Sequence, residues 1–456
     1  MKRTFVLTLI SLLLLSAGAS AQSFRSGYFL DNYVYGYRIN PAQLNKKSFL
    51  AIGLGNYDLQ NSSGIGIASV LFPTDNGMVT GLNKAVSAEQ FIGSLPPSVG
   101  LSFDENINLL SFGVRGKRTM HTFEVNLRTT VDAGLPRELF AFLKQGGDRP
   151  YDISGINLSA SVIGDVSYGY ARQVNKKLNI GGRLHFLVGA VDVRAYSDNS
   201  SVTMSESAAE INSELHLKTS GMVSIGIDSE GHIDPNTVNI DYMNGPYIGG
   251  YGAGLDFGAE YELVPGLNLM ASVTEFGVMF RKNTTSLSAN STIRYEGGNI
   301  SYQDGQVKTD DYQEVLDKLM EAIVFKEDAE ASRVEVLPFN VCLGARYKLP
   351  FFKALSLGAL GTYRYDNIYP TWEVRGGMTL SSKYFISISG NAGYGSYGPV
   401  CGGGLNLHLG PLNILAGVDS FIGDLGTISG ISGVPAIPFP LHGFQINAHV
   451  GATLTF

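Results

Sequence analysis

The chain has 456 residues, a formal net charge of −7, only 16% charged residues, 56 glycines and two cysteines. The negative balance argues against nucleic acid as a partner, the low charge density against disorder, and the two cysteines exclude a disulfide scaffold. Length alone suggests two or three domains, but no Pro/Ser-rich linker divides the chain, and a large barrel is one domain at this size.

Residues 1–21 combine Lys2 and Arg3, an apolar run from Phe5 to Leu15 and the small-residue site Ala19-Ser20-Ala21, which together read as a cleaved secretory signal. No later run is long and apolar enough for a membrane-spanning helix. Residues 22–61 are expected to form an N-terminal arm or a plug inside a barrel. They carry the aromatic run Tyr28, Phe29, Tyr33, Tyr35 and Tyr37, then the turn Asn40-Pro41-Ala42.

The barrel proper is expected to span 62–456. Segments 48–58 and 62–72 are apolar; the first is assigned to the N-terminal region and the second to the opening strand. A short helix is expected near 84–93. Strands over 106–117 and 119–131 are joined by Gly116-Lys117-Arg118. A helix follows over 135–146, with Pro136 in its first turn and Gly146 just past its end. Alternation returns through Ile156 to Tyr170 and, after Asn175-Lys176-Lys177, through Leu178 to Val188. Residues 197–248 show no sustained alternation and read as a long loop, with a hairpin of its own as one option.

The clearest hairpin covers 250–282. Leu255, Phe257, Ala259, Tyr261 and Leu263 alternate with Gly254, Asp256, Gly258, Glu260 and Glu262 up to the turn Val264-Pro265-Gly266. A second excursion runs to Arg333, and the spacing of Tyr312, Val315, Leu316, Leu319, Met320 and Ile323 predicts an amphipathic helix from about Asp310. Strands then follow over 334–349, 353–366, 371–381, 384–395, 400–409, 412–421 and 443–456. Short turns alternate with long loops, as in a transmembrane barrel whose turns face the periplasm. The fold class is therefore all-β: one closed antiparallel transmembrane barrel of about fourteen strands, sixteen if one pair is misread, with short helices in its extracellular loops.

The last strand alternates from Phe444 to Phe456. Its terminal aromatic residue, Phe456, resembles the signal that bacterial outer-membrane barrels present to their assembly machinery. Asn40-Pro41-Ala42 soon after a signal peptide resembles the N-terminal element of FadL-type and PorV-type outer-membrane proteins; in the former, that region forms a luminal hatch. The 136–190 run, Gly252 to Gly258 with Val273 to Gly277, and the Asn406 to Pro411 turn are similar to an uncharacterised family of Bacteroidota outer-membrane proteins distantly related to both. The resemblance implies residence in the outer membrane, lipid and the assembly machinery as partners, and termini that are periplasmic or luminal. It also implies either a plugged channel that binds or passes a small amphipathic molecule, or a non-transporting scaffold for a surface or secretion-linked protein.

Inward positions in these registers include Arg115, Glu124, Arg128, Asp165, Arg183, His185, Asp256, Glu260, Arg346, Arg364, Glu373 and Arg375. Both signs are interspersed, which suits paired charges bracing a wet lumen or holding a plug. A pore lining for a polar solute is the alternative. By parity Cys342 and Cys401 face opposite sides and cannot pair. No metal-ligand spacing, phosphate loop or nucleophile elbow is present, and no histidine has a serine or aspartate companion by spacing. Neither an enzyme nor a cofactor is expected.

Overall fold

The computed structural model describes residues 24–53, 55–74, 77–204, 208–234, 237–240, 248–296, 302–303, 306–307, 323–328, 332–365, 370–382, 385–396, 398–422, 425–428, 437–440 and 443–456. The signal segment and the helix face expected from Tyr312 to Met320 lie outside them. One antiparallel sheet dominates, and its nineteen hydrogen-bonded segments resolve into fourteen wall strands. Three strands are each made of two segments, and the short segments Gly147–Asp152 and Lys326–Glu327 only extend the rim.

In chain order the wall strands are β1 (Phe49–Ile52 and Tyr57–Ser63), β2 (Ser98–Arg115), β3 (Thr119–Pro136), β4 (Asn157–Gln173), β5 (Leu178–Met204), β6 (Ala208–Gly221 and Gly250–Val264) and β7 (Leu267–Glu296). They continue as β8 (Ser332–Val336 and Phe339–Lys348), β9 (Leu355–Tyr365), β10 (Thr371–Ser381), β11 (Ile386–Gly395), β12 (Gly398–Leu409), β13 (Leu412–Ile422) and β14 (Phe444–Thr455). Strand β1 pairs with both β2 and β14, which closes the barrel and leaves it without an edge.

Alternation decides which way each residue points. Leu184 and Phe257 face outward, 60% and 56% exposed, while their neighbours Arg183 and Asp256 face inward, 6% and 1% exposed. Tyr168, Tyr170, Phe186, Tyr251, Phe276, Phe280, Trp372 and Tyr394 join the outer band. An apolar exterior around a charged interior inverts the arrangement of a soluble protein. It is what a sheet surrounded by hydrocarbon requires. Among the described residues no helix is long and apolar enough to cross a membrane.

The opening strand differs from expectation. It is 49–63, not 62–72, so the barrel begins at Phe49 rather than at residue 62. Leu71–Thr74 pairs only with Gly77–Thr80, as a small hairpin in the loop above. The cause is a break between the two segments of β1, which end at Ile52 and resume at Tyr57, with Gly53 at φ +76°; it interrupts the alternation in its sequence.

Residues 197–204 and 208–221, expected as loop or as a hairpin within it, and residues 283–296, expected as loop, are strand. The upper part of β5, the first segment of β6 and the upper part of β7 pair continuously there. Once a strand rises past the apolar band its outer face no longer needs apolar residues, and the period-2 signal fades. Strand β6 leaves the wall after Gly221 and returns at Gly249. The wall stays sealed, because Met222 N–H donates to Ala190 O at 3.0 Å and Gly249 N–H to Gly189 O at 2.7 Å.

Both expected short helices form: α1 (Ala88–Gly93), capped by Ser87, and α2 (Arg137–Gln145), which Gly146 ends at φ +54°. They meet through Phe91 and Phe140, with ring centroids 6.4 Å apart. Ile65, Phe72, Val79, Val86, Phe91, Leu95 and Val99 thereby share a small apolar core with Phe140 of α2 at the loop end of the barrel.

At the opposite end Phe456 N–H donates to Ser48 O at 3.0 Å and Ser48 N–H to Phe456 O at 3.1 Å, the last rung of the closure. Deletion of Phe456 is expected to reduce the folded, heat-modifiable barrel recovered from membranes. Unchanged recovery would remove the terminal residue from the assembly argument.

Candidate functional site: the occupied lumen

Residues 24–47 lie inside the barrel. Phe24, Phe29, Leu30, Tyr33, Tyr35, Tyr37 and Ile39 are buried in one apolar cluster with the wall residues Met270, Cys342, Leu360 and Leu415. Two 3-10 turns, Arg25–Tyr28 and Val34–Arg38, fold the segment into a compact knot. Wall glycines make room for it. A Cβ on Gly417 would lie 2.0 Å from the ring of Phe24, and one on Gly181 would lie 2.1 Å from the carbonyl oxygen of Pro41. Gly358 and Gly377 accept the ring of Phe29, Gly344 the ring of Tyr28, and Gly258 the side chain of Asn40. The glycine content of the chain thus reflects in part a mould around its own N-terminal segment.

Charged wall residues hold the knot from several sides. Arg38 is buried and binds Asp58 at 2.9 Å and Glu124 at 2.7 Å, while the hydroxyl of Tyr37 donates to Glu124 at 2.9 Å. Burial works against the charge of Arg38, but the two carboxylates outweigh it and hold its pKa above the ordinary value. Across the lumen, Asp419 accepts the backbone N–H of Arg25 at 2.7 Å and also binds Arg375 at 2.8 Å. Glu373 pairs with Arg25 at 2.9 Å and with Arg375 at 2.8 Å. Arg346 binds Asp31 at 2.6 Å; burial raises that carboxyl, and Arg346 with Lys348 overcomes the effect and leaves it below its usual value. In the Asn40-Pro41-Ala42 turn, Asn40 Oδ1 accepts from Ala42 N–H at 3.0 Å and its Nδ2 donates to Ala259 O at 3.2 Å.

The expected inward charges divide into three sets. Glu124, Arg346, Glu373 and Arg375 hold the N-terminal segment directly or through one partner, as does Arg183, which binds Glu124 at 2.5 Å and Asp256 at 3.3 Å. Asp165, His185, Arg128 and Arg364 form a layer above it, which His185 ties to Asp256 at 3.1 Å. Arg115 and Glu260 join neither. Arg115 is half-buried at the inner rim, where its backbone N–H donates to Ser48 Oγ at 3.0 Å, and Glu260 accepts from Asn179 at 3.3 Å beside a cavity.

Two cavities of about 520 Å³ each adjoin this core. The inner one lies at the turn end, between the N-terminal segment and wall residues that include Asn179, Glu260, Arg346 and His408. The outer one lies at the loop end among the inner faces of β2 to β5, β7 and β8. Its lining sets Asp132, Asp192, Arg194, Arg281 and Glu335 beside Ile156, Ile163, Leu337 and Pro338. Arg281 is 2% exposed and binds Asp192 at 3.2 Å and Glu335 at 3.0 Å.

Strict alternation misses Arg281 and Glu275 because of one bulge. Leu255 faces Phe276 but Phe257 faces Val273, so β7 carries an extra residue opposite Asp256. Glu275 sits there at φ +66°, a left-handed conformation that costs a residue with a Cβ roughly 1–2 kcal/mol. Parity reverses beyond it, so Met279 and Arg281 turn inward and Phe276 and Phe280 outward. The signal in the sequence is Thr274-Glu275, two polar residues in succession within an alternating strand. Asp58 and Asp419 are hidden for other reasons: the first lies in the strand assigned to the N-terminal region, and the second is inward by parity but shows its role only when the N-terminal segment is seated against it.

No hydrolytic or metal constellation emerges among the described residues. No group of three or more potential metal ligands is found there, and the buried histidines His185 and His449 pair with carboxylates. Both cysteines are free, Cys342 buried and Cys401 exposed.

The profile of a family of unknown function, DUF5723, matches residues 41–419. The chain belongs to this family. No curated protein matches the chain. Among solved structures, the Pseudomonas putida toluene transporter TodX is similar at 10% identity over 92% of this chain and 93% of its own, with a TM-score of 0.45. The Ralstonia pickettii toluene transporter TbuX matches at 10% identity over 93% and 94%, with a TM-score of 0.43. A Pseudomonas aeruginosa FadL homologue matches at 11% identity over 96% and 98%, with a TM-score of 0.44.

Proposed function

We propose that this DUF5723 protein is a plugged outer-membrane channel, in which a small amphipathic solute enters the outer cavity and passes inward when residues 24–47 shift. The observation that carries this reading is that the obstruction in the lumen, residues 24–47, takes no part in the sheet and is held to the wall by side-chain hydrogen bonds and ion pairs. Such contacts can be exchanged without opening the sheet, whereas moving a wall strand would break a ladder of backbone hydrogen bonds. The mixed lining of the outer cavity, guanidinium and carboxylate groups beside isoleucine, leucine and proline, suits a molecule with a polar end and an apolar end. In this reading the turn end, where Phe456 pairs with Ser48, faces the periplasm, and the wall contacts lipid.

A disulfide staple tests it. Asn391 Nδ2 donates to Ser26 Oγ at 2.6 Å, so the pair Ser26→Cys and Asn391→Cys should tie the segment to β11. In planar bilayers bathed in potassium chloride, the reduced protein is expected to show brief openings that oxidation abolishes and dithiothreitol restores. Openings indifferent to oxidation, or none in either state, would sink the proposal.

The second reading is a non-transporting scaffold for a surface or secretion-linked protein. It is favoured by the fullness of the inner lumen and by the packed loop core around Phe72, Phe91 and Phe140. Native mass spectrometry in mild detergent separates the two: a retained lipid or small amphiphile supports the channel, a stoichiometric protein supports the scaffold.

A further inference from the structure

Five wall strands place inward residues at the same three levels. On β3 the order from the turn end is Glu124, which holds Arg38 and Tyr37, then Arg128, then Thr130 and Asp132 at the outer cavity. On β4 it is Ser167, bound to Arg183, then Asp165, then Ile163 and Ser161 at the cavity. Strand β5 gives Arg183, His185, then Asp192 and Arg194, and β8 gives Cys342 in the apolar cluster, then Asn340, then Leu337 and Glu335. On β7 the order is Ser272, which donates to Ile39 O at 2.6 Å, then Glu275, then Arg281.

The middle level is a layer of charges laid across the lumen. Glu275 accepts from Arg128 at 3.2 Å and from Asn340 Nδ2 at 2.9 Å, and Arg364 approaches it at 3.7 Å. Arg128 also binds Asp165 at 2.5 Å. Arg364 on β9 reaches Asp104 on β2 at 3.7 Å, and in the closed order of the wall those two strands stand diametrically opposite. The layer therefore spans the barrel, between the N-terminal segment and the outer cavity. At its centre is the one carboxylate that the β7 bulge turns inward, through a backbone conformation that glycine would adopt without strain.

We infer that this layer is a second barrier in series with the N-terminal segment, and that Glu275 is the residue that determines which charge the constriction admits. The inference rests on the channel reading above. A solute descending from the outer cavity must replace the contacts of Glu275 with Arg128, Asn340 and Arg364 before it reaches residues 24–47. Displacing that segment alone leaves the layer as a remaining obstacle, so openings are brief until both give way.

Full-length wild type, Arg38→Ala, Glu275→Gly, Glu275→Gln and the combination Arg38→Ala/Glu275→Gly would be compared in planar bilayers under a potassium chloride gradient. Glycine suits the positive φ, and glutamine keeps the bulk of the side chain while removing its charge. Each single change is expected to raise mean conductance only slightly, and the combination by about tenfold more than the two effects together, as barriers in series require. Both Glu275 variants should move the reversal potential toward anion preference, a shift that a merely structural role would not produce. If Arg38→Ala alone conducts as well as the combination, or if the reversal potential stays fixed, the second barrier is refuted and the channel reading stands. If none of the barrels conducts although all fold, both fall together.

Discussion

Arg38→Ala is expected to free residues 24–47 from the wall while the barrel itself stays closed. Its guanidinium is the shared partner of Asp58 and Glu124, and all three groups are buried. Removing one member of such a cluster costs about 3–5 kcal/mol, because the charges left behind have lost both water and partner. Here the loss should fall near the lower end. Glu124 keeps Arg183 at 2.5 Å, and Asp58 keeps His449 at 2.5 Å and Asn56 at 2.6 Å. The measurement is protease cleavage within 24–47 in the folded, detergent-solubilised barrel: the variant should be cut readily and the wild type should resist. Gly417→Leu approaches the same end by another route, since its side chain must take the space of the Phe24 ring. Equal resistance in all three proteins would mean that the segment is held by neither contact.

Leu184→Arg should be the most damaging single change on the outer wall, about 2–4 kcal/mol if the residue lies near the bilayer midplane. Leu184 is 60% exposed and packs beside Leu255 and Tyr168 on neighbouring strands, a surface suited to hydrocarbon. The adjacent Arg183→Leu is expected to hurt for the opposite reason, since it strips Glu124 and Asp256 of a buried partner. Urea unfolding from lipid vesicles reads both. A Leu184→Arg barrel as stable as wild type would show that this face does not meet lipid.

The same pair of residues explains what could be read in advance. Wherever the wall is apolar outside and polar inside, alternate residues announce their direction. The charges at Glu124, Arg183, Asp256, Arg346, Glu373 and Arg375 were therefore legible as inward groups before any fold was at hand. Signals that depend on local backbone preference were equally legible, such as Pro136 and Gly146 around α2 and the tight turn at Gly266. Legibility stopped where alternation stopped. The break in β1 hid the opening strand, the bulge at Glu275 hid Arg281, and the tall rims of β5 to β7 looked like loop.

That this chain is a closed sheet with a greasy exterior and charges within follows from its residues alone, because side-chain alternation is a local property, repeated strand after strand. What those charges do depends on how the barrel closes around residues 24–47. That Arg38 meets Glu124 and Asp58, that Phe24 fills the hollow left by Gly417, and that Arg364 crosses to Asp104 are facts of closure. They bring together residues tens to hundreds of positions apart, and no periodicity along the chain encodes which strand will face which across the lumen.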